Sequence, residues 1–231
     1  MMKKNNISID LAPSESKFYE WSKNNGDGFT QLDNGKGYRK YHDEIVGRLN
    51  SIEIRKSNFG GNEVVVALDG EGNNNRYFVK FPIKYPKGGV NDYTKYLVCY
   101  LGNMNKGGLY KLSLFNFIPE DKDRAIKGLT VYKEAGSILG EEWEKLERFL
   151  QTTDLPKWEL IKEEIEEFDE KGNLVTVTKN TWDKKKHDDF LLKTLNNEYQ
   201  RLKFVKGESV KTTSEKVVEK KVDFPDDDLP F

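Results

Sequence analysis

The stretch that decides the fold is Ile45-Val46-Gly47-Arg48-Leu49-Asn50-Ser51-Ile52-Glu53-Ile54-Arg55. Its core-type residues alternate first on odd and then on even positions, as in a half-buried β-strand that changes phase at Asn50-Ser51. A change of phase within one strand indicates a β-bulge, where one extra residue bends the chain. Gly47 in the first half is typical of a sharply coiled strand. We therefore predict a long, bulged and coiled strand here.

The residues that follow this strand alternate in the same way, with one helix among them. The segment 90–102 has helical spacing, and Gly102 is placed to cap its C-terminus. Three strands, a helix and two strands within residues 43–133 are typical of an OB-fold, the five-stranded, partly open barrel that binds oligonucleotides. Another small β-barrel remains an alternative. The remaining predicted strands are Glu63–Leu68, Arg76–Ile83, Gly108–Ile118 and Lys127–Lys133.

We therefore expect a mainly β fold with additions on both sides of the barrel. The additions after the barrel would cover it, form a dimer interface or contact a partner. Beyond residue 206, aromatic residues disappear and Lys, Glu, Ser, Thr and Val dominate, a composition that cannot bury enough apolar surface to order itself. The predicted organisation is an N-terminal arm over 1–40 with a short helix at 14–22, the barrel over 41–135, an elaboration over 136–206 with helices at 141–150, 157–168 and 183–204 and a strand at 173–178, and a disordered linker with an acidic tail over 207–231.

The composition argues against several classes of protein. Apolar residues make up 36% and charged residues 33% of the chain, and no apolar run has the length of a membrane span. The start is positively charged without an apolar stretch after it, so we do not expect a signal peptide. Cys99 is the only cysteine and there are two histidines, too few for a zinc site of Cys and His ligands. We expect no cofactor, no metal, no membrane contact and a cytoplasmic location.

An enzyme is not expected either. The glycine pairs at 60–61 and 88–89 lack the Gly-Lys-Ser/Thr ending of a phosphate-binding loop. The run of glutamates at 163–167 is typical of a solvated face. A nuclease with scattered carboxylates remains open on sequence alone.

The most distinctive motif is the C-terminal end, Asp223-Phe224-Pro225-Asp226-Asp227-Asp228-Leu229-Pro230-Phe231. The terminal ring can fill an apolar pocket, while the carboxylates meet Lys or Arg around it. This end closely resembles the acidic tip of bacterial single-stranded DNA-binding proteins and is similar to the acidic tails of their phage counterparts. The resemblance implies an OB-fold body for single-stranded DNA, and a tip, Asp226–Phe231, that binds a polymerase, a primase–helicase or a nuclease. It also implies a bacterial or phage-infected host cytoplasm.

The charge distribution agrees with that resemblance. The last nine residues contain four Asp and no Lys or Arg, so the rest of the chain carries +3 against −1 for the whole. Residues 30–133 contain 17 Lys and Arg against 11 Asp and Glu. A basic body with an acidic tail suits a body that binds a polyanion.

A single-strand binder interleaves cations with aromatic rings, because it must meet both phosphates and open base faces. Strand alternation places one such set on the outward face. Exposed Phe beside Lys is costly on a soluble surface without a partner, although packing under the added elements is the alternative for each ring. The predicted nucleic-acid contacts are Lys36, Tyr38, Arg39, Lys40, Arg48, Arg55, Arg76, Phe78, Lys80, Lys111, Phe115, Phe117 and Tyr132.

The function predicted from the sequence is therefore sequence-non-specific binding of single-stranded DNA in replication, recombination and repair. Two alternatives remain: a protein-interaction adaptor of the replication machinery, and a single-stranded RNA-binding protein. A homodimer is possible.

Overall fold

The computed structural model describes residues 4–57, 60–72, 74–86, 88–120, 124–135, 142–151, 153–168 and 173–203. The fold is mainly β, as predicted. The strands of the described chain are β1 Asn5–Ala12, β2 Lys17–Ser22, β3 Thr30–Gln31, β4 Tyr38–His42, β5 Glu44–Lys56, β6 Asn62–Asp69, β7 Asn75–Pro82, β8 Leu109–Phe117, β9 Ile126–Glu134, β10 Trp143–Lys145, β11 Glu159–Phe168 and β12 Leu174–Asp183; its helices are α1 Asp92–Leu101 and α2 Lys185–Leu202.

Ten strands form one sheet in the order β10-β9-β8-β5-β6-β7-β1-β2-β4-β3. Every pairing in it is antiparallel except that of β1 with β7. The five strands predicted for the barrel, β5 to β9, are contiguous in this order. Within the described residues the outermost strands, β10 and β3, do not pair with each other, so the sheet is open. Strands β11 and β12 form a separate two-stranded sheet.

The long first strand of the barrel region is confirmed as β5. Its pairing with β6 shifts register between Leu49 and Ser51, which confirms the predicted bulge. Gly47, which was predicted to mark a sharply coiled strand, is required here by the close approach of β6. A Cβ on this residue would lie 2.8 Å from the carbonyl oxygen of Asp69 and 2.9 Å from the Cβ of Leu68. Any larger residue would push β5 away from β6.

The core lies between the sheet and α1. The helical spacing was predicted from Tyr93, Tyr96, Leu97 and Tyr100 of α1, and all of them are fully or almost fully buried except Tyr96, which is half-buried. Asn91 caps the helix N-terminus because its side chain accepts a hydrogen bond from the backbone N–H of Tyr93 at 3.0 Å. The predicted helix is confirmed, with Gly102 at its C-cap.

Helix α2 packs against α1 and β5 and confirms the last predicted helix. Leu191, Leu195 and Leu202 form its buried stripe. Arg201 fixes the helix end by donating from Nη1 to the carbonyl oxygen of Met104 at 2.8 Å, and from Nη2 to that of Leu101. The last carbonyl group of α1 and one just after the helix thus gain partners. No helix in the described part of the chain is long and apolar enough to cross a membrane.

The expected N-terminal arm with a helix at 14–22 is wrong in its secondary structure. Residues 5–42 contribute β1 to β4 to the main sheet, and β2 occupies most of the predicted helix. Alternation explains the difference, because Phe18 is fully buried while Trp21 is exposed. Strand β1 pairs in parallel with the edge of β7 and so satisfies the backbone hydrogen-bonding groups of that edge. An isolated helix at 14–22 could not satisfy these groups.

The helices predicted at 141–150 and 157–168 are also wrong. The first segment contains the short strand β10, and its first residue, 141, lies outside the described residues. The second is β11. A spacing of four, as between Ile161 and Ile165, satisfies both a helix and a strand, and β12 supplies the pairing partner that decides for the strand. The strand predicted at 173–178 is confirmed and is longer than expected.

Candidate nucleic-acid interface

A groove of about 920 Å³ lies where the ends of β5, β6 and β7 meet β1 and β2. We call it the β5–β7 groove. Its lining combines positive charge with aromatic rings, which are the two groups that single-stranded nucleic acid requires. The residues that matter for this chemistry are the cations Arg55, Lys56, Lys80 and Lys84, the tyrosines Tyr19, Tyr85 and Tyr93, and the carboxylates Asp10 and Glu63.

Two of these cations are held by carboxylates. Lys80 lies on β7 beside β1, and its Nζ is 3.2 Å from both carboxylate oxygens of Asp10. Arg55 on β5 faces Glu63 on β6, with 2.9 Å between Nε and Oε1. Both pairs are only partly buried. A phosphate that entered the groove would have to compete with a carboxylate at each of these positions.

The other two cations have no carboxylate partner among the described residues. Lys56 ends β5 and Lys84 follows β7, and both side chains are exposed. Exposed, unpaired ammonium groups gain most from a phosphate, because no existing ion pair has to be broken. Lys56 and Lys84 are therefore the cations of the groove that are most accessible to an anion.

Tyr85 and Tyr93 give the groove an aromatic wall. Tyr85 is 38% exposed, and its hydroxyl donates to Oδ2 of Asp92 at 2.8 Å. The Tyr93 hydroxyl is buried and has no hydrogen-bond partner in the described structure. Burial, with a contribution from the Asp92 charge, raises the pKa of each tyrosine to about 12. Both rings are therefore neutral at physiological pH, and the Tyr93 hydroxyl is enclosed in the wall without a hydrogen-bond partner among the described residues.

The predicted cations at the other end of the same strands are neutralised. Arg48 Nη2 lies 2.6 Å from Oε1 of Glu71, and Arg76 Nε lies 2.5 Å from Oδ1 of Asp69. Burial alone would raise the pKa of Asp69, but hydrogen bonds and charges from Arg76 and Lys4 outweigh it and lower the pKa. These arginines stabilise the sheet here and offer little free charge to DNA.

The outward face of β8 and β9 carries a second group of predicted residues. The expected alternation is confirmed, because Leu112 and Leu114 are buried while Lys111, Phe115 and Phe117 are not. Lys111 is 3.3 Å from Glu44, and its Nζ lies 4.9 Å from the ring centroid of Tyr132 and 5.2 Å from that of Trp143.

The two phenylalanines on this face have different surroundings. Phe115 meets Tyr96 of α1 edge to face at 5.3 Å between ring centroids, and a Cβ on Gly128 would lie 2.5 Å from its Cζ. Phe117 is 54% exposed. The Asn116 side chain, next to Phe117, donates to the carbonyl oxygen of Pro13 at 3.0 Å, and Pro13 lines the β5–β7 groove. Phe117 is thus exposed on the outward face beside Phe115, with 5.9 Å between the ring centroids, and it does not line the groove, whereas Phe115 packs against α1.

The predicted cluster on β4 is divided between its two faces. Tyr38 and Lys40 alternate with Arg39, so they point the other way. The Arg39 guanidinium lies 4.3 Å from the ring centroid of Tyr19, and its Nη1 donates to the Tyr41 hydroxyl at 3.0 Å, which raises the pKa of Arg39. Lys36 is exposed in the turn before β4.

The structure thus brings only part of the predicted set together. Arg55 and Lys80 share the β5–β7 groove, Phe78 is half-buried on the same strand face as Lys80, and Phe117 does not line the groove. The tail residues Asp226–Phe231 lie outside the described residues. Sequence reasoning missed five of the seven cations and aromatic residues of the groove: Tyr19, Lys56, Lys84, Tyr85 and Tyr93. Lys56, Lys84 and Tyr85 directly follow predicted strands and could have been found there.

Among the described residues, no three His, Cys, Asp or Glu side chains are grouped so that they could hold a metal ion. No protein-family model matches the chain, no curated protein matches its sequence, and no solved structure matches it.

Proposed function

We propose that the protein binds single-stranded DNA without sequence specificity during replication, recombination and repair, and that its acidic C-terminal tip recruits replication proteins. The observation that carries this proposal is the β5–β7 groove, where four cations and three tyrosines line one cavity of about 920 Å³. Phosphates and unpaired bases are the ligands that such a lining suits.

The topology supports an OB-fold as the body of the protein. Strands β5 to β9 are contiguous, β5 pairs with both β6 and β8, and α1 lies between the third and fourth of these strands. Strand β2 also lies close to β5 and β8, with which it does not pair, so it packs against this five-stranded unit. OB-folds bind oligonucleotides on the face of their second and third strands, beside the loop that joins strands one and two. The corresponding elements here, β6, β7 and the β5–β6 connection, border the groove.

The groove would hold DNA in two ways. Lys56 and Lys84 bind phosphates directly, while Arg55 and Lys80 exchange a carboxylate for a phosphate as the strand enters. The exposed ring of Tyr85 stacks on a base. Stacking accepts every base, since each has a π-face, and this explains the lack of sequence preference.

The acidic tip would act through its tether. Deleting Asp223–Phe231 removes four Asp side chains that compete with DNA for the groove at high local concentration. The terminal Phe231 supplies the apolar contact with a replication protein, in the manner of carboxylate-terminal peptides that bind basic pockets.

A titration of the full chain with fluorescent 30-mers tests the proposal. Anisotropy should report tight binding of oligo-dT at low salt and weaker binding of the same length of duplex. Equal or tighter binding of oligo-rU than oligo-dT would favour the RNA-binding alternative. No binding to either single strand would leave the adaptor alternative.

A further inference from the structure

The two-stranded sheet of β11 and β12 is an unusual feature of the protein. Within the described residues each strand pairs only with the other, and isolated two-stranded sheets are marginal in water. Its large apolar side chains are nevertheless in solvent. Phe168 is 75% exposed, Trp182 58%, Leu174 56% and Leu160 43%.

The two edges of this sheet differ in charge. Strand β11 carries five glutamates and one lysine, and charged side chains on an edge oppose the addition of another strand. Strand β12 has no charged residue from Leu174 to Thr178, and it is rich in Val and Thr, which favour strands. The β12 edge is therefore open to a further strand, and the β11 edge is protected.

We propose that β12 pairs antiparallel with β12 of a second copy of this chain, in a register centred on Thr178. The product is a four-stranded sheet in the order β11-β12-β12-β11. A two-fold axis perpendicular to that sheet keeps each face on its own side. Residues directly opposite each other must share a face, so their numbers are either both even or both odd. The axis therefore lies midway between the two copies of one residue.

The register centred on Thr178 joins the exposed apolar residues into continuous rows. It places Leu174 opposite Trp182 of the second copy. Within one chain Leu160 already faces Trp182, and Phe168 faces Leu174. The four residues then form one cross-strand row on the same face, and symmetry repeats the row on the other side of the axis. Such aromatic and aliphatic cross-strand contacts stabilise sheets.

Charge supports this register over its neighbours. Lys179 meets Val177 of the second copy, so no like charges are opposed. Centring the axis on Lys179 would set this lysine against itself, which is unfavourable. Centring it on Val177 would place Leu174 against Asn180 and break the apolar rows.

Engineered cysteines test the register. Thr178→Cys puts two thiols opposite each other at the axis, whereas Asn180→Cys, on the same face, separates them by four residues or about 13 Å. With oxidised glutathione as the two-electron oxidant, we expect a disulfide-linked dimer from Thr178→Cys and at least tenfold less from Asn180→Cys. The native Cys99 is fully buried and does not compete. Equal yields from both variants would overturn the register.

Light scattering after gel filtration tests the association itself. The wild-type chain should show twice its mass of 26.8 kDa. Thr178→Lys, which opposes two ammonium groups at the axis, should show the monomer mass, and Thr178→Val, which keeps a neutral β-branched residue, should remain dimeric. A monomeric wild-type chain up to about 100 μM, or an unchanged dimer in Thr178→Lys, would overturn the proposal.

Discussion

Removing the two unpaired groove cations should change how salt affects DNA binding. Each phosphate that a protein neutralises on a single strand contributes about −0.7 to the slope of log K against log salt. The double variant Lys56→Gln/Lys84→Gln should therefore have a slope smaller by about 1.4. Between 0.05 and 0.2 M salt, the wild-type protein should lose about 7-fold more affinity than the variant. Both side chains are exposed and without a carboxylate partner in the described chain, so thermal stability should change little.

The measurement is fluorescence anisotropy with oligo-dT at four or more salt concentrations. The matched control is Lys157→Gln/Lys193→Gln, which removes the same charge from two exposed lysines that do not line the groove. The control should keep the wild-type slope. If both double variants reduced the slope equally, net charge rather than the β5–β7 groove would drive binding, and the assignment of Lys56 and Lys84 would be wrong.

Three further predictions concern other parts of the account. Phe117→Ala should weaken oligo-dT binding by about 1–3 kcal/mol at an unchanged melting temperature. Phe115→Ala removes the contact with Tyr96 and should lower the free energy of unfolding by about 2–3 kcal/mol. The reverse pattern would exchange the roles of the two rings. Deleting Asp223–Phe231 should strengthen DNA binding, and the effect should be largest at low salt, where screening is weak. Phe231→Ala should keep the wild-type affinity for DNA but fail to retain replication proteins in a pull-down. If Phe231→Ala still bound those proteins, the tip would act only as an electrostatic competitor of DNA. Because the folded pKa of Asp69 is lowered, its ion pairs contribute fully to stability above the ordinary value of 3.8, and that contribution is lost as the pH falls below 3.8 and through the folded pKa. Asp69→Asn should thus lower the free energy of unfolding by urea at pH 7, and the difference from the wild type should shrink as the pH falls below 3.8. A constant difference would contradict the assignment.

The strands of the barrel region could be predicted because their sequence has a clear period of two. The bulge in β5 was visible as a change of phase, and its position at Asn50-Ser51 agrees with the register shift. The wrong predictions concern segments whose secondary structure depends on pairing with another strand. Ile161 and Ile165 fit a helix and a strand equally well until β12 is known to lie beside them. Ile7, Ile9 and Leu11 alternate with polar residues as in a strand, but the sequence does not show that this strand pairs with the edge of β7.

The candidate site was predictable only in part, for a similar reason. Alternation correctly put Arg55 and Lys80 on the outward face. It could not reveal that Asp69 and Glu71 neutralise Arg76 and Arg48, because those contacts depend on cross-strand register and a turn. Nor could it reveal a groove whose second wall comes from β1 and β2.

The most direct test of the groove assignment is to locate the DNA on the protein by photocrosslinking. Oligo-dT carrying 5-iododeoxyuridine reacts on irradiation with aromatic side chains that stack on it, and mass spectrometry then identifies the linked peptide. The proposed mode of binding predicts crosslinks to Tyr85 or Tyr19, reduced in the Lys56→Gln/Lys84→Gln variant at moderate salt. Crosslinks confined to Trp158, Trp182 or Tyr199, which lie outside the groove, would contradict it.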